Sequence, residues 1–210
     1  MDTPPSAWDK ITWNIDDDQT TSRLLRFYES LYDVIFNNME VDGCSLPPED
    51  IMSVEAGVWL CDSQQKELSG NFERFKMIIM KDVAPLDSEM IQWFLRETFQ
   101  QLIIKVAATP SWRTFGHVLV SLAIIRDVAK QKRVIRNPQF QSDIRLDFLL
   151  FARAKFTPFI LSMGGVSDIE DYTDHIRNRA KLMLLTELVV SGCILSLCFA
   201  LFRAMKRFFS

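Results

Sequence analysis

Apolar residues recur at intervals of three and four along most of the chain, which is the period of an α-helix. The pattern predicts amphipathic helices over residues 22–36, with a cap at Thr21 or Ser22, and over residues 66–80. A third helix is predicted to begin at the capping residue Asp87. Because strict alternation of apolar and polar residues is absent over any useful length, the sequence predicts an all-α fold without a sheet.

One segment is apolar almost all the way round. Between Phe115 and Ile125 only His117 and Ser121 are clearly polar, so no solvent-facing stripe is left on this helix. Eleven residues rise only about 16 Å, well short of a bilayer core of about 30 Å. We therefore expect residues 114–131 to form a buried central helix surrounded by other helices.

A further apolar helix is predicted after Pro138, and it ends at an unusual glycine pair. The chain has seven glycines in 210 residues, yet Gly164 and Gly165 are adjacent. Glycine suits a junction where the backbone needs positive φ or where two helices approach closely. A plain helix C-cap is the alternative interpretation.

The C-terminal segment, residues 182–209, resembles a membrane anchor. Residues 188–202 carry no charge, Glu187 is the one charge between 182 and 202, and basic residues lie on both sides. We expect a transmembrane helix over residues 182–205, with Glu187 near the headgroups and Arg203 reaching toward them. A buried helix is the alternative.

Charge and cysteine content narrow the function further. The net charge is −3, the first quarter is rich in acid, and no Lys/Arg stripe with interleaved aromatics indicates nucleic-acid binding. None of the four cysteines forms a C-x-x-C pair, which favours reduced thiols in a cytosol-facing protein. The first ten residues lack the apolar core of a signal peptide, so none is expected.

The residues do not favour an enzyme. His117 and His175 are the only histidines, and no nucleotide-binding loop, G-x-S-x-G or metal-ligand spacing is present. The acidic residues between 168 and 174 fit the first turns of a helix, where negative charge is favoured. We therefore expect no catalysis, no cofactor, no metal and no small-molecule substrate.

Several motifs together resemble the Bcl-2 family of apoptosis regulators. Pro158-Phe159-Ile160, three residues, Gly164-Gly165-Val166, then Ile169 and Tyr172, is similar to the family's second homology motif. Phe159 and Val166 stand where the family usually has tryptophan. The segment that ends at Tyr172 is one residue shorter than usual.

The other homology motifs follow in an ungapped register. Residues 114–118, Thr-Phe-Gly-His-Val, resemble the first motif, Asn-Trp-Gly-Arg-Ile/Val, at the interval from Gly116 to Gly164 that the family requires. The same register aligns Leu68, Phe72, Glu73 and Phe75 with the third motif. The first predicted helix resembles the fourth motif. The likeness covers the chain from about residue 22 onward.

The resemblance implies a Bcl-2-like bundle with a hydrophobic groove that binds an amphipathic helix of a pro-apoptotic partner. Carried over by position, and subject to the alternative that they form core, the partner-groove residues are Phe75, Ile79, Val83, Leu86, Ile104, Ala108, Arg113, Phe115, Gly116, His117, Leu119, Val120, Ile124, Phe159, Gly164 and Gly165. The family has arginine where this chain has His117, and Arg113, one helical turn earlier, is a candidate replacement. A solvated rim arginine is the alternative for Arg113.

The third motif favours a pro-survival, sequestering member. A helix that acts as a death ligand needs a small residue where this chain has Phe72. The alternatives are a pore-forming pro-apoptotic effector and a Bcl-2 fold used for other signalling partners. The expected organisation is an acidic segment (1–20), a helical domain (21–178) and the anchor, facing the cytosol from the mitochondrial outer membrane, or otherwise from the endoplasmic reticulum.

Overall fold

The computed structural model describes residues 19–44, 46–106 and 109–181. The helices are α1 (Gln19–Ile35), α2 (Pro48–Glu67), α3 (Ser69–Asp82), α4 (Ser88–Val106), α5 (Trp112–Gln131) and α6 (Pro138–Ser162), with a single 3₁₀ turn at Val41–Gly43. The chain divides after Glu170 into two compact units. A last helix begins at Asp168, and its residues 171–181 are the described part of the second unit. No strand occurs in the described ranges, so the all-α prediction is confirmed there.

Helix α5 is the centre of the first unit. It packs against α1, α2, α3 and α4, and Phe115, Leu119 and Leu122 have no exposed surface. The predicted burial of this helix is confirmed. Ser121, one of the two polar residues in its apolar run, is satisfied, because its hydroxyl donates to the His117 carbonyl oxygen at 2.9 Å. Ser111 and Thr114 form a capping box, and the helix begins at Trp112, two residues earlier than the prediction of 114.

Helix α2 was not predicted from the sequence. The expected helix over residues 66–80 is wrong at its start, because Glu67 ends α2, Leu68 forms the junction and α3 begins at Ser69. The inward positions of α2 include Asp50, Ser53 and Gln64, all buried. A helix that buries polar residues among its apolar ones shows no apolar stripe in the sequence, which is why periodicity did not reveal it.

Helices α1 and α5 approach α2 closely at two glycines, Gly57 of α2 and Gly116 of α5. A Cβ at Gly57 would lie 2.7 Å from Leu31 Cδ2, and one at Gly116 would lie 2.9 Å from Gln64 Cγ. These two positions therefore set the spacing of α1 and α5 against α2.

Gly164 and Gly165 end α6 with φ angles of +103° and +109°. The predicted need for positive φ is confirmed. The predicted close approach of backbones is not found, since no atom of the described residues lies within 4 Å of a Cβ built on either glycine. The pair is there for its backbone conformation, not for space.

The remaining boundaries agree in part with the sequence. Asp87 caps α4 as predicted, because its Oδ1 accepts a hydrogen bond from the Met90 amide at 2.9 Å. Helix α1 begins at Gln19, before the predicted caps Thr21 and Ser22. The predicted anchor, residues 182–205, lies outside the described residues. Among the helices that are described, none combines the length and the apolar character needed to cross a bilayer.

Candidate functional site

The candidate site lies over α5, where two helices rest on the central one. Both α3 and α4 pack on α5, whereas they make few if any contacts with each other. Two helices that pack on the same third helix, but not against each other, leave part of their surfaces uncovered. A surface groove would form along those uncovered sides.

On α4 the uncovered side carries apolar residues. Arg96 and Gln100 bond to Asp147 in α6, with Nε–Oδ2 and Nε2–Oδ2 distances of 2.7 and 2.9 Å. At 100° per residue, Phe94 and Leu102 project from the side of α4 away from that contact. Both are half-buried. This flank of α4 therefore presents an aromatic and an aliphatic side chain that α6 does not cover.

On α3 the arrangement is similar. Ser69 and Glu73 line a shallow recess shared with α2. The opposite side of α3 carries Phe75, which is half-buried, and Ile78, which is 49% exposed. We use the name α3–α4 trough for Phe75 and Ile78 of α3 taken together with Phe94 and Leu102 of α4, the apolar residues on the sides of these helices that α2 and α6 leave uncovered.

The residues predicted from the sequence divide by depth. Seven are buried, and these are Ile79, Val83, Phe115, Gly116, Leu119, Val120 and Ile124. Five are half-buried, and these are Phe75, Leu86, His117, Phe159 and Gly165. The exposed ones are Ile104, Arg113 and Gly164, and Ala108 lies outside the described residues. The seven buried residues are part of the protein core. Of the apolar residues predicted from the sequence, Phe75 is the one that is also among the four residues of the α3–α4 trough.

Sequence reasoning missed Ile78, Phe94 and Leu102 as site residues. The available signal was the width of the apolar face of α4, where Met90, Trp93 and Phe94 add to the inward row of Ile91, Leu95 and Phe99. Met90 and Trp93 are 50% and 63% exposed. A stripe wider than one neighbour can cover indicates a second contact surface.

A charged pair lies near the start of α5. Arg113 Nη2 is 2.6 Å from Glu67 Oε1 at the end of α2, and both side chains are about half exposed. His117, one turn along, is half-buried, and its Nε2 has no hydrogen-bond partner among the described residues. Burial, and after it the positive charge of Arg113, lower the pKa of His117 below its ordinary value. This rim therefore presents a permanent cation at Arg113 beside a neutral imidazole.

Trp112 brings the two glycine-containing motifs together. Its ring meets Phe159 of α6 and Phe115 of α5 edge-on, at centroid distances of 5.4 and 5.9 Å. Its indole N–H donates to Asp168, just beyond Gly164-Gly165. Sequence reasoning missed Trp112, because it lies outside both motifs and only the packing reveals its position between them.

The third-motif residues lie at the α2–α3 junction. Leu68 joins the two helices, Phe72 is 9% exposed and Glu73 is exposed. Phe72 therefore packs into its own protein, which leaves its ring unavailable to another one unless α3 detaches.

The described residues show no constellation for metal chemistry. No three His, Cys, Asp or Glu side chains within them are grouped so as to hold an ion. Cys44 and Cys61 are free thiols, and burial raises the pKa of Cys61 to about 12. No protein-family model, curated protein or solved structure matches this chain.

Proposed function

We propose that the protein is a Bcl-2-like regulator of apoptosis that binds an amphipathic helix of a pro-apoptotic partner in the α3–α4 trough. The observation that carries this proposal is the buried α5 beneath two helices whose uncovered sides are apolar. An amphipathic helix presents apolar anchors at i, i+3 or i+4 and i+7, which suits a groove between two roughly helical walls.

The apolar area supplies the driving force. Completing the burial of a large aliphatic or aromatic side chain contributes up to about 1.5–3 kcal/mol. The four trough residues together can therefore support binding in the micromolar range or tighter, after the entropic cost of association is subtracted.

The direction of regulation is pro-survival in this proposal. A helix donated to another protein's groove needs a small residue where α3 has Phe72, and Phe72 is packed inward here. Helix α3 then serves as a wall of its own trough and not as a death ligand. Residues 182–205 would hold the protein in the mitochondrial outer membrane, with the helical domain in the cytosol.

Binding to a labelled peptide tests the groove. The full chain in phosphatidylcholine nanodiscs is titrated with an amphipathic peptide that carries the Leu-x-x-x-Gly-Asp pattern. The double variant Ile78→Glu/Phe94→Ala is expected to weaken binding by about 30-fold or more, since it removes two anchors and introduces an uncompensated charge. Met52→Glu/Leu146→Ala, at two exposed apolar residues on α2 and α6, is the matched control and should change it less than twofold.

Equal loss of affinity in the trough variant and the control would remove the groove assignment. Dye release from liposomes tests the direction of regulation. The pro-survival proposal expects the protein to suppress release caused by a pore-forming relative. Release by this protein alone, stimulated by the peptide, would instead establish the effector alternative.

A further inference from the structure

The turn between α5 and α6 concentrates positive charge. Lys130, Lys132, Arg133 and Arg136 occur within seven residues, and no Asp or Glu occurs between Asp127 and Asp143. The two acids that flank this stretch in the sequence are already engaged. Asp127 pairs with Lys76 and Arg126, and Asp143 pairs with Arg96. The positive charge of this turn is therefore not neutralised by its surroundings.

The four cations of the turn are also unpaired. Within the described ranges, none of their side chains has an ion pair or a hydrogen bond. By contrast Arg23, Arg96 and Arg145, on other helices, each hold a carboxylate. Four neighbouring cations without a counter-charge repel one another, so an external anion at this turn would lower the free energy of the folded protein.

The backbone gathers these side chains around a recess. Arg133 has φ +62°, the left-handed conformation that ends a helix and turns the chain. The reversal gives a cavity of about 640 Å³ whose described lining is Lys130, Arg133, Ile135 and Arg136. That volume is within the range of small-molecule sites, about 300–1,000 Å³.

Most backbone amides of the turn already have acceptors, so the four cationic side chains are its main free donors. The amides of Val134 and Ile135 donate to the Ala129 carbonyl, and the Asn137 side chain accepts from the first amides of α6. Two guanidinium groups beside an ammonium group suit phosphate better than carboxylate. Each guanidinium can hold two phosphate oxygens, and several cations can share one doubly charged group.

We propose that the α5–α6 turn is a binding site for a phosphate-bearing polyanion. The two sources of that chemistry are a phosphorylated lipid headgroup and a soluble polyphosphate. The site is independent of the α3–α4 trough, since it uses none of the trough residues and lies at the far end of α5 from Arg113.

The full chain in phosphatidylcholine nanodiscs is titrated calorimetrically with inositol hexakisphosphate at 150 mM salt. The test variant is Lys130→Gln/Arg136→Gln. The control is Lys81→Gln/Lys155→Gln, which removes the same charge from exposed residues without ion pairs. Lys81 is in the last turn of α3 as Lys130 is in the last turn of α5. We expect at least tenfold weaker binding in the test variant and less than twofold change in the control.

A vesicle experiment separates the two sources. Flotation of the same three proteins is compared on phosphatidylcholine vesicles with and without phosphatidylinositol bisphosphate, so that any contribution of residues 182–210 is common to all. If only the test variant loses flotation, and only on the phosphorylated vesicles, the ligand is a lipid headgroup. If flotation of the test variant is unchanged while the unmodified chain binds hexakisphosphate, the ligand is a soluble polyphosphate. Both results support the site.

Three outcomes would overturn the proposal. These are no binding of hexakisphosphate by the unmodified chain, equal weakening by the test and control pairs, or competition by hexaglutamate as strong as by the phosphate probe. Equal weakening would reduce the effect to net charge, and glutamate competition would remove the preference for phosphate. Thermal unfolding of both variants is measured first, and Arg133→Gln provides an independent single change in the same recess.

Discussion

Arg113 and Glu67 form an ion pair with an Nη2–Oε1 distance of 2.6 Å, and this pair joins the start of α5 to the end of α2. Under the proposed function, Glu67 holds the cation that would otherwise meet an acidic residue of the bound helix. In the proposed function, the protein's own carboxylate and the partner's acid compete for Arg113.

Removing Glu67 and removing Arg113 should change the affinity for the partner peptide in opposite directions. Glu67→Gln frees Arg113 and is expected to tighten binding of the Leu-x-x-x-Gly-Asp peptide a few-fold, because an exposed pair is worth up to about 1 kcal/mol. Arg113→Ala should weaken it about tenfold, the loss of one charge-assisted hydrogen bond. Fluorescence anisotropy measures both.

The matched peptide with Ala in place of Asp is the control. With it, neither substitution should matter. If Arg113→Ala leaves the affinity for the Asp peptide unchanged, Arg113 is a solvated rim residue and does not replace the missing guanidinium at His117.

The native pKa of His117 should lie below 6.5. Arg113→Ala should raise it, because it removes a neighbouring positive charge. Glu67→Gln should lower it further. The chain has two histidines, so NMR titration with His117→Gln as the assignment control resolves the two. A native pKa above 6.5 would contradict the burial that the structure shows.

The same shift predicts how stability varies with pH. Because the folded pKa is lower than the unfolded one, the unfolded chain binds the proton first as pH falls. The contribution of His117 to stability is therefore complete above about pH 6.5. It is lost as pH falls through the folded pKa, and chemical denaturation of His117→Gln should show a correspondingly weaker dependence over this window.

Asp147 should be far more important to stability than Asp143, one turn earlier on α6. Asp147 is 1% exposed and accepts from Arg96 and Gln100. The Asp143 side chain is 27% exposed, meets Arg96 at 3.3 Å and accepts an exposed hydrogen bond from Gln139 at 3.0 Å. Urea denaturation of Asp147→Ala should show a loss of about 2–4 kcal/mol in the free energy of unfolding, and Asp143→Ala a loss under about 1 kcal/mol. Equal losses would show that burial of the network does not matter.

Alanine at the glycine pair tests backbone strain without steric interference. Gly164→Ala and Gly165→Ala should each lower the free energy of unfolding by about 1–2 kcal/mol or more, because both φ angles are positive and no atom in the described part of the chain obstructs the new methyl group. Gly70→Ala is the control. Its Cβ also meets nothing, but Gly70 lies within α3, where alanine should stabilise by about 0.5–1 kcal/mol. The same sign in all three variants would refute the strain argument.

The sequence alone determined the helices that have either one apolar face or an apolar surface on all sides. Helix α1, the buried α5 and α6 were predicted because their periodicity depends only on which residues avoid water. The positive φ at Gly164 and Gly165 was predicted for a similarly local reason. Adjacent glycines in a chain with few of them indicate a backbone that side chains would strain.

Only the tertiary structure decided α2 and the walls of the trough. Helix α2 buries Asp50, Ser53 and Gln64, and such burial becomes favourable only when partners from distant helices satisfy or enclose the polar groups. Arg23, for example, reaches Asp50 from α1. No local pattern contains that information.

The same limit applies to the site. Sequence position placed Ile79, Leu119 and Ile124 in the groove, but the folded chain buries them, and it leaves Ile78 and Phe94 on the uncovered sides of α3 and α4. The same apolar residue type occurs both in protein cores and on binding surfaces. Which of the two it occupies depends on the neighbouring helix that happens to cover it, and that is set by the packing of the whole bundle.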